Sequence, residues 1–348
     1  MTQISSPQSI EITPEHHHTW QQQLADVVSS AHELLKELNL SPEQLPDMQL
    51  AAKDFPIRVP RAYLKRIQLG DFNDPLLRQI LPSAAENTPP PPGFVLDPLG
   101  EVTSNKTPGI VHKYHGRVLL ITNGSCAIHC RYCFRRHFPY DENNLSSQQW
   151  REALSYISER EEINEVILSG GDPLTNNDKR LFSLIEAIEA IPHISRLRIH
   201  TRLPIVIPSR ITAELIERLA QSRLNIVMVV HCNHANEIDD EVASILRSIQ
   251  QSGIHVLNQS VLLKDINDNV ATLVNLSERL FSCGVLPYYL HLLDKVIGAH
   301  HFEVKESEGQ NLMLALQNKL PGFLLPKLVK EIDGMPSKTS IATPLSPI

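Results

Sequence analysis

The sequence predicts an α/β fold, a partial (β/α)6 barrel behind an N-terminal helical region, and three observations carry that prediction. Six short runs rich in β-formers follow residue 117, at 118–122, 165–169, 196–201, 225–231, 255–263 and 285–293. After the first interval they recur about every 30 residues, the length of one βα unit. Helical patterns such as 179–190 and 212–221 separate them, so the strands are expected to be parallel and joined by right-handed crossovers. A doubly wound sheet has the same period and remains the alternative. In either architecture, chemistry belongs at the carboxyl ends of the strands.

Ahead of the barrel, Leu24, Val27, Val28, Ala31, Leu34, Leu35 and Leu38 share one helical face and Ser41-Pro42 breaks the pattern, which predicts one amphipathic helix from Thr19 to that break. A second, short helix is expected at Asp74-Pro75, a capping residue followed by proline in the first helical position, burying Leu76, Leu77, Ile80 and Leu81. The prolines at 89–92 form a stiff connector. The expected organisation is a helical region with a proline-rich linker over 1–95, a barrel core over 96–335 and a tail over 336–348.

The chain has 348 residues, 42% of them hydrophobic, enough for a full core. A net charge of -7 offers no basic excess for nucleic acid or anionic membrane. No leader-like segment opens the chain and no run of about 18 apolar residues occurs, so a cytoplasmic protein acting on a small molecule is expected. Its five cysteines are an odd number for a disulfide framework, and three of them crowd into one segment, which suggests a metal. Cys232 and Cys283 read as packing thiols, and the His16, His17, His18 run as a solvated helix start. Tyr288 and Tyr289 are neighbours on a strand, so at most one is expected to face a ligand.

The crowded segment is Cys126-Ala-Ile-His-Cys130-Arg-Tyr-Cys133, directly after the first strand. Three thiolates can hold three irons of a 4Fe-4S cluster and leave the fourth open, whereas an electron carrier normally supplies four. A zinc site would need a fourth ligand, for which His129 or His137 could serve, but a closed structural site has no reason to stand at a barrel mouth. Ser169-Gly170-Gly171-Asp172-Pro173 ends the second strand. By itself it is an ordinary turn, though its glycines also permit close approach of a ligand.

With an aromatic before its third cysteine, the triplet resembles the radical S-adenosylmethionine superfamily signature, and the Gly170-Gly171-Asp172 turn resembles the motif that holds the cosubstrate's amino group. The stretches from Arg117 to Phe138, Leu168 to Leu174 and Asn258 to Leu263, with Tyr288-Tyr289, are similar to lysine 2,3-aminomutases. His112-Lys-Tyr-His-Gly-Arg117, Cys133-Phe-Arg-Arg-His-Phe-Pro-Tyr140 and Pro336-Ser-Lys338-Thr match the short bacterial branch that makes (R)-β-lysine for elongation factor P.

That resemblance implies an isomerase with three cofactors: a 4Fe-4S cluster on Cys126, Cys130 and Cys133, S-adenosylmethionine, and pyridoxal 5'-phosphate as an aldimine on Lys338. It implies a 5'-deoxyadenosyl radical that takes hydrogen from the β-carbon of L-lysine before the amino group migrates. By the same resemblance Lys113 and Arg117 hold the phosphate, Gln259 contributes to cofactor binding, Arg135 receives the substrate carboxylate, and Asp294 the side-chain ammonium. Glu331 stands where longer members place a second aspartate for that ammonium. Without the resemblance, Lys338 is a solvated tail residue and Asp294 a solvated loop residue. The implied partners are a reductase or flavodoxin-type electron donor and, functionally, an elongation factor P ligase. Homo-oligomerisation is left open, because the C-terminal extension that longer members use in assembly is missing after Lys338. Two alternatives stay in view, an aminomutase for another amino acid such as glutamate and a non-catalytic metal-binding barrel. Asp294 argues against the first by charge repulsion, and the intact cysteines and Lys338 argue against the second.

Overall fold

The computed structural model describes residues 19–101, 105–138 and 147–343. All six expected strands form: β1 (Arg117–Ile121), β2 (Glu165–Ser169), β3 (Arg196–Thr201), β4 (Asn225–His231), β5 (His255–Val261) and β6 (Leu286–His291). They stand side by side in chain order, each parallel to the next. Helices α1 (Ser147–Ser158), α2 (Asp178–Glu189), α3 (Ala213–Ala220), α4 (Asp240–Gln251) and α5 (Val270–Phe281) return the chain between them. Four of these start where a polar side chain accepts a first-turn N–H: Asn177 from Arg180, Thr212 from Leu215, Asp239 from Val242 and Asn269 from Thr272. A seventh parallel strand, β7 (Lys327–Lys330), follows α6 (Glu306–Gln317) and pairs with β6. Antiparallel strands extend both edges, Ile110–Tyr114 and then Asn105–Thr107 beyond β1, and Thr339–Ser340 beyond β7.

The ten-stranded sheet is rolled rather than flat. Lys113, on the strand beside β1, and Glu331, just after β7, would be roughly 34 Å apart across seven strand spacings of a flat sheet. Their charged atoms are instead 3.6 Å apart. That contact brings the two edges together and decides for the partial barrel over the doubly wound alternative.

The expected helix from Thr19 to Ser41 is broken. Helices cover Trp20–Ala25 and Ala31–Glu37, and Val27–Val28 between them pairs antiparallel with Val59–Pro60. Two adjacent β-branched residues favour extended backbone, and Ser30 then caps a fresh helix by accepting from Glu33 N–H at 3.2 Å. The predicted apolar face is still met, with Leu34, Leu35 and Leu38 buried. At Pro75–Arg78 the expected short helix forms, with Asp74 accepting from the N–H groups of Leu76 and Leu77. One hydrophobic cluster runs without interruption from Trp20 through Leu77 and Leu168 to Val285, so the N-terminal region and the barrel bury each other's apolar faces. Among the described residues no helix is long and apolar enough to cross a membrane. The His16, His17, His18 run lies outside the described residues.

Candidate active site

The barrel encloses a cavity of about 1080 Å³ that carries residues from the carboxyl ends of the strands, among them Ser169, Thr201, His231, Val261 and His291. Every residue to which the resemblance gives a role with metal, cofactor or substrate lines it: Cys126, Cys130 and Cys133; Gly170, Gly171 and Asp172; Lys113, Arg117, Gln259 and Lys338; Arg135, Asp294 and Glu331. They arrive from the loop after β1, from the ends of four other strands, and from both sheet edges.

The cysteine loop is tied down on three sides. Gly171 N–H donates to Asn123 O at 2.9 Å and Asp172 N–H to Ser125 O at 2.8 Å, zipping the β2 turn onto the chain leading into Cys126. A Cβ on Gly171 would stand 2.3 Å from Ser125 O, and one on Gly170 2.4 Å from Asn123 O. The close approach that these glycines permit is therefore to the cysteine loop's own backbone. From the N-terminal region, Arg58 Nε donates to Cys126 O at 2.8 Å and Arg58 O accepts His129 N–H at 2.9 Å. Buried Arg131 makes a two-pronged pair with Glu86 at 2.8 and 2.6 Å. Asp172 is committed inward: its carboxylate accepts from Thr201 Oγ1, Arg202 N–H and Leu174 N–H at 2.7, 2.7 and 3.0 Å. Burial pushes Asp172 up to about 6 although those bonds pull the other way.

The three thiols are a donor set that calls for a cation. Burial and the neighbouring Cys133 push Cys126 up, and burial and Cys130 push Cys133 up to about 11, so bare thiolates would not coexist there. The imidazoles considered as a fourth zinc ligand are engaged elsewhere, His129 with Pro56 O at 2.8 Å and stacked on Phe55, His137 with Ile297 O at 3.2 Å. Three cysteines without a fourth protein ligand fit a cluster with one open iron.

In the same cavity, Lys338 Nζ donates to Glu331 Oε2 at 2.7 Å and lies 6.0 Å above the Tyr289 ring. Burial works to raise Glu331, but Lys338, then Lys113 and Tyr114, hold it down at about 2. Lys113 also donates to Leu99 O. The Arg117 guanidinium lies 4.7 Å over the Tyr114 ring and makes no hydrogen bond or ion pair among the described residues. A lysine amine sharing a cavity with two further cations, one of them without a counter-anion, fits a phosphorylated aldehyde.

Arg135 is where expected but not free. Its fork is closed on Glu101, Nε to Oε2 at 2.6 Å and Nη2 to Oε1 at 2.8 Å, and Nη1 reaches Ser169 Oγ and Gly170 O. Glu101 escapes sequence reasoning, because a single acid ahead of the first strand carries no spacing signal. Burial pushes Asp294 up to about 7, with Glu331 and Glu101 adding and Lys338 and Lys113 opposing. A carboxyl in that condition gains from an arriving cation.

Three histidines on strands also escape it: His200, His231 and His291 line the cavity, and burial depresses all three, His231 to about 3. Gln259 meets His231 ring to amide at 3.0 Å. Alternation on β3, β4 and β6 places them inward, but an imidazole in a strand does not stand out in sequence. The expectation that at most one of Tyr288 and Tyr289 faces the site is corrected. Both line the cavity, with ring centroids 3.7 Å apart and hydroxyls hydrogen bonded at 2.9 Å. A register shift between Pro287 and Tyr289 interrupts the alternation. Cys232 and Cys283 are buried as expected.

Residues 120–276 match the radical SAM superfamily model, which implies a 4Fe-4S cluster and S-adenosylmethionine. The chain is 51% identical over 323 residues to L-lysine 2,3-aminomutase of Escherichia coli, covering 92% of this chain and 94% of that one. It is 48% identical to the Haemophilus influenzae protein of the same name, covering 93% and 95%. Among solved structures, a radical SAM methyltransferase from Sphaerobacter thermophilus aligns with a TM-score of 0.47 and 16% identity, over 64% of this chain and 68% of that one. Identity of this order along nearly the whole length of both relatives, over a barrel whose cysteine loop opens on its cavity, means that the chain belongs to the L-lysine 2,3-aminomutase family of radical SAM enzymes.

Proposed function

We propose that this chain is an isomerase that converts free L-lysine to (R)-β-lysine, with pyridoxal phosphate on Lys338 and a 4Fe-4S cluster on Cys126, Cys130 and Cys133. The observation that carries the reading is the single cavity of about 1080 Å³ shared by the cysteine loop and Lys338. That volume is just above the roughly 300–1,000 Å³ of a one-ligand pocket, which suits two bound groups meeting over one substrate. When bound, the cluster and S-adenosylmethionine supply a hydrogen-abstracting radical, and pyridoxal phosphate supplies the π system for nitrogen migration.

The chain's own residues orient and neutralise. Lys113 and Arg117 balance the phosphate, and Gln259, held by His231, contributes to the cofactor wall. Gly170, Gly171 and Asp172 set the floor on which the cosubstrate lies, Asp172 by fixing the turn. Arg135 is the anchor for the substrate carboxylate, which exchanges with Glu101 on the same fork. Asp294 takes the side-chain ammonium and Glu331 assists while it balances Lys113. The region 1–95 supports the cysteine loop, 96–335 forms the barrel, and the tail beyond 335 presents Lys338. The product would serve a separate ligase acting on elongation factor P, in the cytoplasm, with a flavodoxin-type protein as electron donor.

The test is anaerobic reconstitution with iron, sulfide, pyridoxal phosphate and S-adenosylmethionine, then incubation with L-lysine and dithionite and chiral amino-acid analysis. (R)-β-Lysine is expected. Rearrangement of a different amino acid in its place, or zinc instead of iron on the cysteines, refutes the reading. Lys338→Ala should keep the cluster spectrum and lose the absorption of covalently bound pyridoxal.

A further inference from the structure

The cysteine loop is also gripped by a buried arginine. Arg202 follows β3, its main-chain N–H on Asp172 Oδ2 at 2.7 Å. Its guanidinium is buried: Nη2 donates to Gln79 Oε1 at 2.8 Å and to Glu237 Oε2 at 2.9 Å, and Nη1 donates to Cys130 Sγ. Nε is buried and has no hydrogen-bond partner among the described residues. Glu237 cannot swing away, because its other oxygen accepts from Asn233 N–H, His234 N–H and Gln79 Nε2 at 2.8, 3.0 and 3.2 Å. The rings of Tyr63 and Tyr132 close over the guanidinium at 5.6 and 5.8 Å.

A buried ion pair contributes little net stability, since desolvation offsets its attraction. Here the pair has a direction: its negative end is fixed by three donors, and its positive end points at a thiolate. In a low-dielectric setting a charge-assisted hydrogen bond to a cluster sulfur favours the more negative, reduced state, one of the ways in which proteins set cluster potentials.

We propose that Arg202, held by Gln79 and Glu237, is a positioning residue that raises the reduction potential of the cluster by hydrogen bonding to the Cys130 sulfur. This rests on the reading of Cys126, Cys130 and Cys133 as cluster ligands. One electron enters the cluster from an external one-electron donor; no bond forms or breaks at Arg202, and the guanidinium keeps its protons. Through Gln79, which caps the short helix at Pro75–Arg78, the N-terminal region takes part in the electronics of the site as well as in its scaffold.

The experiment is a reductive titration with dithionite, followed by electron paramagnetic resonance, on the reconstituted full chain without S-adenosylmethionine, pyridoxal phosphate or lysine. Arg202→Gln should make reduction about tenfold less favourable, about 59 mV more negative for a one-electron couple. Arg202→Lys and Gln79→Leu, which keep the charge but lose its aim, should shift it in the same direction by less. Unchanged midpoints with wild-type iron content overturn the proposal. If Arg202→Gln does not hold a cluster, the other two variants decide on the same criterion. A wild-type chain that binds zinc in place of iron fails on metal analysis, which sinks the underlying reading and this proposal with it.

Discussion

The cysteine loop and the Lys338 edge line one cavity and are built on opposite terms. The loop is fixed by backbone bonds to β2 and to the N-terminal region, by two buried arginines each paired with a buried glutamate, and by glycines in contact with its main chain. Lys338 follows a run of exposed residues, 332–337, and is held by one ion pair and a two-residue strand. On the proposed function, one wall has to keep three sulfurs in place whatever is bound, and the other has to let an amine change partners, which a single exchangeable carboxylate allows.

Four substitutions bear on that contrast, in descending order of expected effect. Gly171→Ala should be the most damaging: its Cβ would meet Ser125 O at 2.3 Å, and relieving that clash costs roughly 3 kcal/mol and displaces Cys126. Iron content after reconstitution should fall at least about tenfold, that being less than the equivalent of such a cost; full iron loading would mean that the loop is more compliant than its contacts imply.

Asp294→Asn should raise KM for lysine about a hundredfold, the loss of a charge-assisted bond of about 2–3 kcal/mol. The same change should help the ligand-free protein. Asp294 is pushed up to about 7, from about 3.9 when unfolded, so its contribution is intact below the lower value and lost as pH rises through the upper one. Melting curves should show the variant more stable than wild type at pH 8 by on the order of 1 kcal/mol and equal to it at pH 4.

Glu101→Gln weakens the occupant of the Arg135 fork and should lower KM several-fold with kcat unchanged. A rise in KM would show that Glu101 instead holds Arg135 ready for substrate. Gly334→Ala should matter least. Its φ of +78° disfavours a side chain by about 1 kcal/mol, but nothing lies within 4 Å of the new Cβ, so the cluster should load as in wild type.

The barrel was legible in the sequence because its first six parallel strands are regular: each is a short run rich in β-formers, and after the first interval they repeat at βα spacing, so composition and period agree. Where local chemistry competes with period, the reading fails. Val27-Val28 sit on the helical face yet extend, because Val59–Pro60 offers them a strand partner that no local pattern announces. β7 is four residues long and flanked by lysines, too short to register. The Tyr288-Tyr289 pair defeats alternation through one irregularity of register. The residues proposed to hold cofactors and substrate are legible through family motifs, whereas Glu101 and Arg202 pair with residues 34 and 72 positions away, Arg135 and Cys130, and such pairings exist only once the chain is folded.

The meeting of Lys113 with Glu331 joins positions 218 residues apart. A chain leaving the ribosome amino end first has exposed every clamp of the cysteine loop, the last being Glu237, long before residues 331–338 emerge. On the proposed function, the cysteine half of the chamber can therefore be assembled while the segment that carries Lys338 is still being translated, and metal insertion is free to precede closure of the seam.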